Sequence, residues 1–224
     1  FSPDSQYIVA TSDFTRVWNV EFGGLYLDYS VATKAIYSPN GQFIATSRGR
    51  DGEINIWDTT ANDKIYTTLD GYSDGVRSID YSPDGRFLVA SYGKDIQIWD
   101  TYSRYVSLTI KGHNSNIYRV LYSPDGRFIT TVSSYGDIKI WNSQNGELQA
   151  SIINHTSAID EIEFSPDNKF IAVADGNVRV WNMQTGTVQD ILWQNNDARS
   201  VSYNTDGSRI VSTNDIAYVW DSQT

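Results

Sequence analysis

The sequence predicts an all-β fold built from six copies of one small antiparallel sheet, and three observations support this prediction. Each copy contains a tight turn, then an apolar run, then an alternating run that closes on a tryptophan. The gaps between these tryptophans are 39, 42, 42, 40 and 39 residues, and a fixed period of this length indicates a repeat architecture. The six tryptophans are Trp18, Trp57, Trp99, Trp141, Trp181 and Trp220.

The tight turn has the form Ser-Pro-Asp-Gly or a close variant and occurs once in each repeat. Proline presets φ at the first central position of such a turn, and Asp followed by Gly or Asn suits the positions after it. All five prolines of the chain stand in these turns, which we therefore interpret as structural. The turns lie at residues 1–4, 37–41, 81–85, 122–126, 164–168 and 203–207.

The runs between the turns predict four short strands in each repeat. The run after a turn, such as 87–90, is apolar on both faces, as expected of a strand covered by neighbouring sheets. The run that ends at the tryptophan, such as 96–99, alternates with the period of two of a half-covered strand. Further strands are expected near 76–81 and 104–110. Four-stranded sheets repeated radially are the blades of a β-propeller.

The closing dipeptides connect the chain to a known family. The anchor tryptophan is followed by Asp in three repeats and by Asn in the other three. Gly112-His113 matches the Gly-His dipeptide with which repeats of this family begin. The chain resembles the WD40-repeat β-propellers over essentially all 224 residues. The resemblance implies one propeller segment over 1–224, whose six units end at the six tryptophans. Because the first and last repeats read as incomplete blades, we expect the segment to be part of a larger ring of seven or more blades.

The resemblance also implies a hydrogen-bonded set in each blade: a histidine, a Ser or Thr on the second strand, an Asp in the next turn, and the tryptophan. No repeat holds the complete set, so packing must carry more of the stability than in regular members. The second repeat lacks the histidine, and the fourth has Tyr135 where the Asp should stand. The retained residues, which we predict to be structural, are Thr46, Asp51, His113, Thr131 and the six tryptophans.

Composition limits the classes of partner. Seventeen basic against 27 acidic residues give a net charge of −10, which disfavours binding to nucleic acid. The absence of cysteine excludes disulfides and fits a cytoplasmic or nuclear protein. No apolar stretch approaches the roughly 20 residues of a membrane span. The glycosylation sequon at residues 154–156 falls on a structural position of the repeat, so we interpret it as chance.

No motif predicts catalysis, a cofactor or a metal site. The two histidines, His113 and His155, both fall at the structural position that the resemblance implies, and without cysteine they make a poor zinc site. Glu161 and Glu163 lie two residues apart on one strand and fit a surface better than a catalytic dyad. We therefore expect a protein that is not an enzyme.

A binding surface follows from the resemblance, which implies that partners dock where the loop before the innermost strand meets the turn after the second strand. Arg and Tyr are enriched among interface hot spots, and an acidic or phosphorylated peptide would suit a group of arginines. The alternative is that these arginines pair with neighbouring carboxylates, and Asp160 and Glu161 would oppose an acidic peptide. The predicted contact residues are Arg48, Arg77, Tyr92, Tyr118, Arg119, Tyr135 and Arg199, with Arg50 in the same turns.

The function predicted from these features is a non-catalytic scaffold for protein–protein interaction within a larger protein or complex. The alternative is a regulatory or sensor propeller fused to a nucleotide-binding or other enzymatic domain outside this segment. A phosphate-binding loop upstream would favour the alternative. Trp193, the one tryptophan outside the repeat register, is either an exposed contact residue or part of the packing.

Overall fold

The computed structural model describes residues 1–11, 14–29, 32–48, 51–60, 64–152, 159–193 and 198–222. In these residues the chain forms β-strands joined by turns and contains no helix, which confirms the predicted all-β fold. The strands are β1 (Tyr7–Thr11), β2 (Thr15–Asn19), β3 (Leu25–Tyr29), β4 (Lys34–Tyr37), β5 (Phe43–Ser47), β6 (Glu53–Asp58), β7 (Ile65–Asp70), β8 (Val76–Tyr81), β9 (Phe87–Tyr92), β10 (Asp95–Asp100), β11 (Tyr105–Lys111), β12 (Ile117–Tyr122), β13 (Phe128–Ser133), β14 (Ile138–Asn142), β15 (Leu148–Ile152), β16 (Glu161–Phe164), β17 (Phe170–Ala174), β18 (Val178–Asn182), β19 (Thr187–Leu192), β20 (Ser200–Tyr203), β21 (Arg209–Thr213) and β22 (Ala217–Asp221).

The described strands form six antiparallel sheets, mostly four-stranded, as predicted for propeller blades. They group into two compact units: residues 1–122 with 144–146, and residues 123–143 with 147–224. The first unit holds the sheets β1-β2-β3, β4-β5-β6-β7 and β8-β9-β10-β11, and it ends with β12, which packs on β8. The second unit holds β13-β14-β15, β16-β17-β18-β19 and β20-β21-β22. One continuous propeller segment over 1–224 stays a prediction.

The Ser-Pro-Asp-Gly turns are held by their serine side chains. In the third repeat, Ser82 Oγ donates a hydrogen bond to Asp84 and accepts one from the backbone N–H of Phe87 at 2.8 Å. Gly85 takes the left-handed conformation, with φ of +72°, that L-residues avoid. Four other turns repeat the serine arrangement with Ser2, Ser38, Ser123 and Ser165.

The core of each unit lies between neighbouring sheets, because the strand after each turn is buried on both faces. The side chains of Leu88, Val89 and Ala90 on β9 are fully buried, as predicted for this run. In the first unit Leu88 and Ala90 join a cluster with Ile54 and other apolar residues of β5 to β10. In the second unit, Ala172 and Ala174 of β17 pack with residues of β18 to β21. Apolar packing therefore holds the neighbouring sheets of each unit together.

A β-bulge stands beside the anchor tryptophan in five of the described sheets, a feature that sequence reasoning missed. In the second sheet Ile56 pairs with Thr67 and Trp57 pairs with Ile65, so that Tyr66 is an extra residue on β7. A bulge increases the local twist and changes the direction of the extra side chain. The other four lie between Val17 and Trp18, Ile98 and Trp99, Ile140 and Trp141, and Val180 and Trp181.

Candidate functional site

The anchor tryptophans are fixed by hydroxyl groups on the second strand of the sheet. Trp57 Nε1 donates to Thr46 Oγ1 at 2.8 Å, and Trp141 Nε1 donates to Thr131 Oγ1 at the same distance. Sequence reasoning missed a third such pair, Trp220 Nε1 to Ser212 Oγ at 2.8 Å. The missed signal was local: Ser212 stands two residues after the strand partner of its tryptophan, as Thr46 does.

The other predicted structural residues are placed differently. Four anchor tryptophans are buried, whereas Trp18 and Trp220 are partly exposed. His113 is buried, with 7% of its surface exposed. Asp51 lies at the surface, where its carboxylate pairs with Arg48 at 3.3 Å and half of the side chain is exposed. His155, Arg50 and the sequon at 154–156 lie outside the described residues.

Hairpin turns meet the loops before the innermost strands, as the resemblance implies. In the first unit, the backbone N–H of Val76 donates to the carbonyl of Arg48 at 3.3 Å. The backbone N–H of Ile117 likewise donates to the carbonyl of Gly93 at 2.7 Å. In the second unit, the N–H of Ala198 donates to the carbonyl of Gly176 at 2.9 Å. The side chains next to these contacts, among them Arg77 and Arg199, therefore stand at the same end of the sheets within their own unit.

The predicted contact residues divide between the two units. In the first unit Arg48 and Arg77 are exposed, and Tyr118 and Arg119 are partly buried. In the second unit Tyr135 is 83% exposed, and Arg199 is exposed. Each unit therefore presents its own candidate contact surface.

Tyr92 is a correction to the predicted contact surface. Its side chain is only 1% exposed, and its ring stands edge-on to that of Tyr72 at 5.8 Å. It belongs to the core of the first unit, because the end of β9 is covered by the loop before β8. A partner cannot reach it without opening that loop, so we remove Tyr92 from the candidate surface.

The innermost strands of the first unit carry a polar cluster. Lys34 Nζ on β4 donates to Ser78 Oγ on β8 at 3.3 Å, and the N–H of Val120 on β12 donates to the same oxygen at 3.2 Å. Two residues further along β8, Asp80 Oδ2 accepts the N–H of Tyr122 at 2.8 Å. Side chains of β8 thus satisfy backbone donors of β12. Sequence reasoning missed Asp80, because no motif distinguishes it from other polar strand residues.

The electrostatics of this cluster follow from its burial. Burial raises the pKa of Asp80 to about 6, although the Tyr122 N–H, Lys34 and Arg119 act in the opposite direction. Burial also lowers the pKa of Lys34, and Arg119 adds to this effect while Asp80 opposes it. Lys34, Arg119 and Asp80 therefore interact electrostatically on the innermost strands.

Ion pairs account for some of the arginines. Arg48 pairs with Asp51, Arg86 pairs with Asp100 at 3.0 Å, and Arg179 pairs with Asp175 at 2.8 Å. Arg77 and Arg199 have no ion-pair partner among the residues that the structure describes. The alternative, in which the arginines pair with neighbouring carboxylates, therefore describes Arg48. It does not describe Arg77 or Arg199 within the part of the chain that the structure describes.

The described ranges also bear on other classes of site. No group of three or more His, Asp or Glu residues is placed there to hold a metal ion. No helix in this part of the chain is long and apolar enough to cross a membrane. Trp193 is 71% exposed, which matches the first of the two placements expected for it.

Comparison with known families agrees with the fold. The sequence model of the family described as "WD domain, G-beta repeat" matches residues 29–58, 63–100, 105–142 and 146–182, more than half of the chain. The comparison with curated proteins finds no match. Repeats of this family generally mediate protein–protein interaction or scaffolding and are typically not catalytic. The repeat register, the sheets and this match together show that the chain belongs to the WD40-repeat family of β-propellers.

Proposed function

We propose that the chain is a non-catalytic platform for protein–protein interaction within a larger protein or complex. The observation that carries this proposal is the end of the first unit at which Arg48 and Arg77 are exposed. The backbone contact between Val76 and Arg48 brings their two loops together. Such a surface is built on strands with a packed core, so it is rigid before a partner arrives, which lowers the entropic cost of binding.

The chemistry of this surface favours an acidic or phosphorylated peptide. A guanidinium group binds carboxylate or phosphate through two parallel hydrogen bonds. Arg77 has no ion-pair partner among the described residues, and the Arg48–Asp51 pair is exposed enough to exchange at little cost. Tyr118 and Arg119 on β12 would add contact area and a further positive charge. In the second unit, Arg199 and Tyr135 would form a separate contact, which the carboxylates of Asp160 and Glu161 weaken.

Affinity capture of the complete parent chain, read by mass spectrometry, tests this function. Arg77→Glu should remove partners that bind the first unit, and Arg199→Glu should remove those that bind the second. The matched control is Arg16→Glu, a charge reversal at an exposed side chain of β2. Partners lost in the Arg77 or Arg199 variant and kept in the control would support the proposal. Partners retained equally in all variants would contradict it.

A further inference from the structure

A second surface of the first unit begins with the rigid turn between β10 and β11. Asp100 Oδ1 accepts the N–H groups of Tyr102 and Ser103, each at 3.0 Å, and Asp100 Oδ2 is bound by Arg86 at 3.0 Å. The N–H of Arg104 closes the turn on the carbonyl of Asp100 at 2.8 Å. Arg104 has φ of +67°, a conformation that few residues other than glycine adopt. These bonds hold Tyr102 and Arg104 in fixed, exposed positions.

The bulge on β7 supplies the neighbouring part of this surface. Tyr66 is the extra residue of the bulge, and its ring lies 4.9 Å from that of Phe43. The guanidinium carbon of Arg104 stands 5.4 Å from the centre of the Tyr66 ring, a cation–π contact. The side chains of Tyr66 and Tyr102 are 46% and 74% exposed. Two tyrosines and an arginine therefore meet where β7 and the next sheet approach each other.

A cavity of about 40 Å³ opens between these side chains. Its wall includes Phe43, Ile56 and Tyr66, with Tyr81 and Asp84 on the side of the third sheet. Tyr81 is 7% exposed, and its hydroxyl has no hydrogen-bond partner among the described residues. A buried hydroxyl without a partner carries a free-energy cost that a bound group would remove. The volume suits a water-sized group or a short polar side chain.

We propose that this rim surface, defined as Tyr66, Tyr81, Tyr102 and Arg104, binds an acidic peptide segment of a partner protein. A carboxylate of the segment pairs with Arg104, whose guanidinium has no ion-pair partner among the described residues. A short neutral polar side chain (Ser, Thr or Asn) enters the cavity and bonds to the Tyr81 hydroxyl, because Asp84 in the wall disfavours a carboxylate there.

The rim surface is distinct from the surface proposed above. Strand β8 runs from Val76, beside Arg77, to Tyr81, so the two lie at opposite ends of the same strand. Tyr and Arg are the residue types that most often dominate interface energies. The proposal does not depend on Arg77 or Arg199, so the binding test below uses a chain that carries Arg77→Glu and Arg199→Glu, in which the surfaces proposed above are disabled.

Binding of synthetic peptide libraries to the full chain tests the proposal. One library flanks a central Ser, Thr, Asn, Ala or Val with acidic residues, and a second flanks the same centres with lysine. We expect the acidic library to bind with a preference for Ser, Thr or Asn at the centre. Arg104→Glu should weaken binding of the acidic library at least about tenfold. The matched control Arg16→Glu, a charge reversal outside all of the proposed surfaces, should leave that binding unchanged.

Tyr81→Phe tests the cavity separately. It keeps the ring and removes the hydroxyl, so the acidic library should still bind while the preference for a polar centre falls roughly tenfold. Unfolding midpoints of both variants establish that they are folded. Equal binding of the acidic and lysine libraries, or binding that survives Arg104→Glu, would overturn the proposal. A central preference that persists in Tyr81→Phe would overturn the role of Tyr81.

Discussion

Single hydroxyl and carboxyl groups add side-chain hydrogen bonds between strands, both within a sheet and between strands that pack against each other. Thr46 and Thr131 accept the indole N–H of the anchor tryptophan from the adjacent strand. Ser78 and Asp80 accept backbone N–H groups of β12, which lies against β8. All of these groups are buried or nearly so, and a buried polar group contributes to stability only when it is paired. Each of these hydrogen bonds therefore depends on the particular donor and acceptor at its position.

Thr46→Val tests the tryptophan contact. The substitution keeps the shape of the side chain and removes the oxygen that accepts the Trp57 N–H, in a place where both residues are buried. We expect the free energy of unfolding to fall by about 1–2 kcal/mol, measured by urea denaturation. Thr46→Ser keeps the hydroxyl and should lose less. An unchanged free energy of unfolding in Thr46→Val would contradict a stabilising contribution of this hydrogen bond.

Asp80 predicts a dependence of stability on pH. Its pKa is raised to about 6 in the folded protein, above the value of about 3.9 in an unfolded chain, so the folded state binds the proton more tightly. Lowering the pH from 7 to 5 should therefore increase the Asp80 contribution to the free energy of unfolding, by about 1 kcal/mol. Lys34 and Arg119 face the same carboxylate and favour its charged form.

Urea denaturation at several pH values, for the wild type and Asp80→Asn, isolates this contribution. The amide keeps an oxygen for the Tyr122 N–H and does not titrate. Because only the wild type carries the titrating carboxylate, its free energy of unfolding relative to that of Asp80→Asn should rise by about 1 kcal/mol when the pH falls from 7 to 5. A difference that is constant from pH 7 to pH 5 would show that the Asp80 pKa is not raised.

The turns and bulges are the elements that set the geometry of each sheet. In both units a turn glycine approaches the proline of the preceding turn: Gly85 faces Pro39, and Gly207 faces Pro166. At the outer side of the sheets, the bulge beside the tryptophan turns one residue of the last strand in a new direction. The bulge on β7 explains why Tyr66 reaches Phe43 and Arg104. Repeated elements thus produce both the regular core and the irregular surface.

Gly85→Ala tests the turn as an element. A Cβ at this position would lie 3.5 Å from Pro39, an ordinary contact, so the expected cost is conformational and arises from φ of +72°. We expect a loss of about 1 kcal/mol in the free energy of unfolding, measured by thermal or urea denaturation. Gly24→Ala is the control, because that glycine has open space and an ordinary φ. A loss as large in the control would contradict the conformational explanation.

At the scale of the whole molecule, the net charge and the local charges favour different classes of partner. The chain carries a net charge of −10, yet two exposed arginines of the first unit, Arg77 on β8 and Arg104 between β10 and β11, have no ion-pair partner among the described residues. A long-range negative field repels a phosphate backbone, whereas a local guanidinium still binds a single carboxylate at short range. We therefore expect the molecule to bind short acidic segments in preference to extended polyanions.

Because the long-range field of the protein repels a phosphate backbone, we predict that the full chain does not bind duplex DNA. Fluorescence anisotropy of a labelled random-sequence duplex should show no saturable binding at physiological salt, and lowering the salt should not produce it. An acidic protein that binds phosphate only through one or two arginines has too few contacts to hold a duplex. Saturable binding with a steep salt dependence would contradict this prediction and would indicate a basic surface on the chain.

The repeat itself determined the fold. Tryptophan spacing, proline turns and strand alternation are local patterns, and the same pattern occurs six times, so each repeat supports the interpretation of the others. The tryptophan contacts of Thr46 and Thr131 were implied by the resemblance to the WD40 repeats. Ser212 stands at the matching position of the sixth repeat and carries the same signal.

Only the tertiary structure decided which polar and aromatic side chains are available to a partner. Tyr92 and Tyr135 occupy comparable turn positions in the sequence, yet one is 1% and the other 83% exposed. The exposure of a side chain depends on loops of the neighbouring sheet, and the position of Asp80 beside Lys34 joins residues 46 positions apart. Local patterns specify the strands, because strand formation depends on nearby residues. The sites depend on contacts between sheets, which a repeating pattern does not distinguish from one copy to the next.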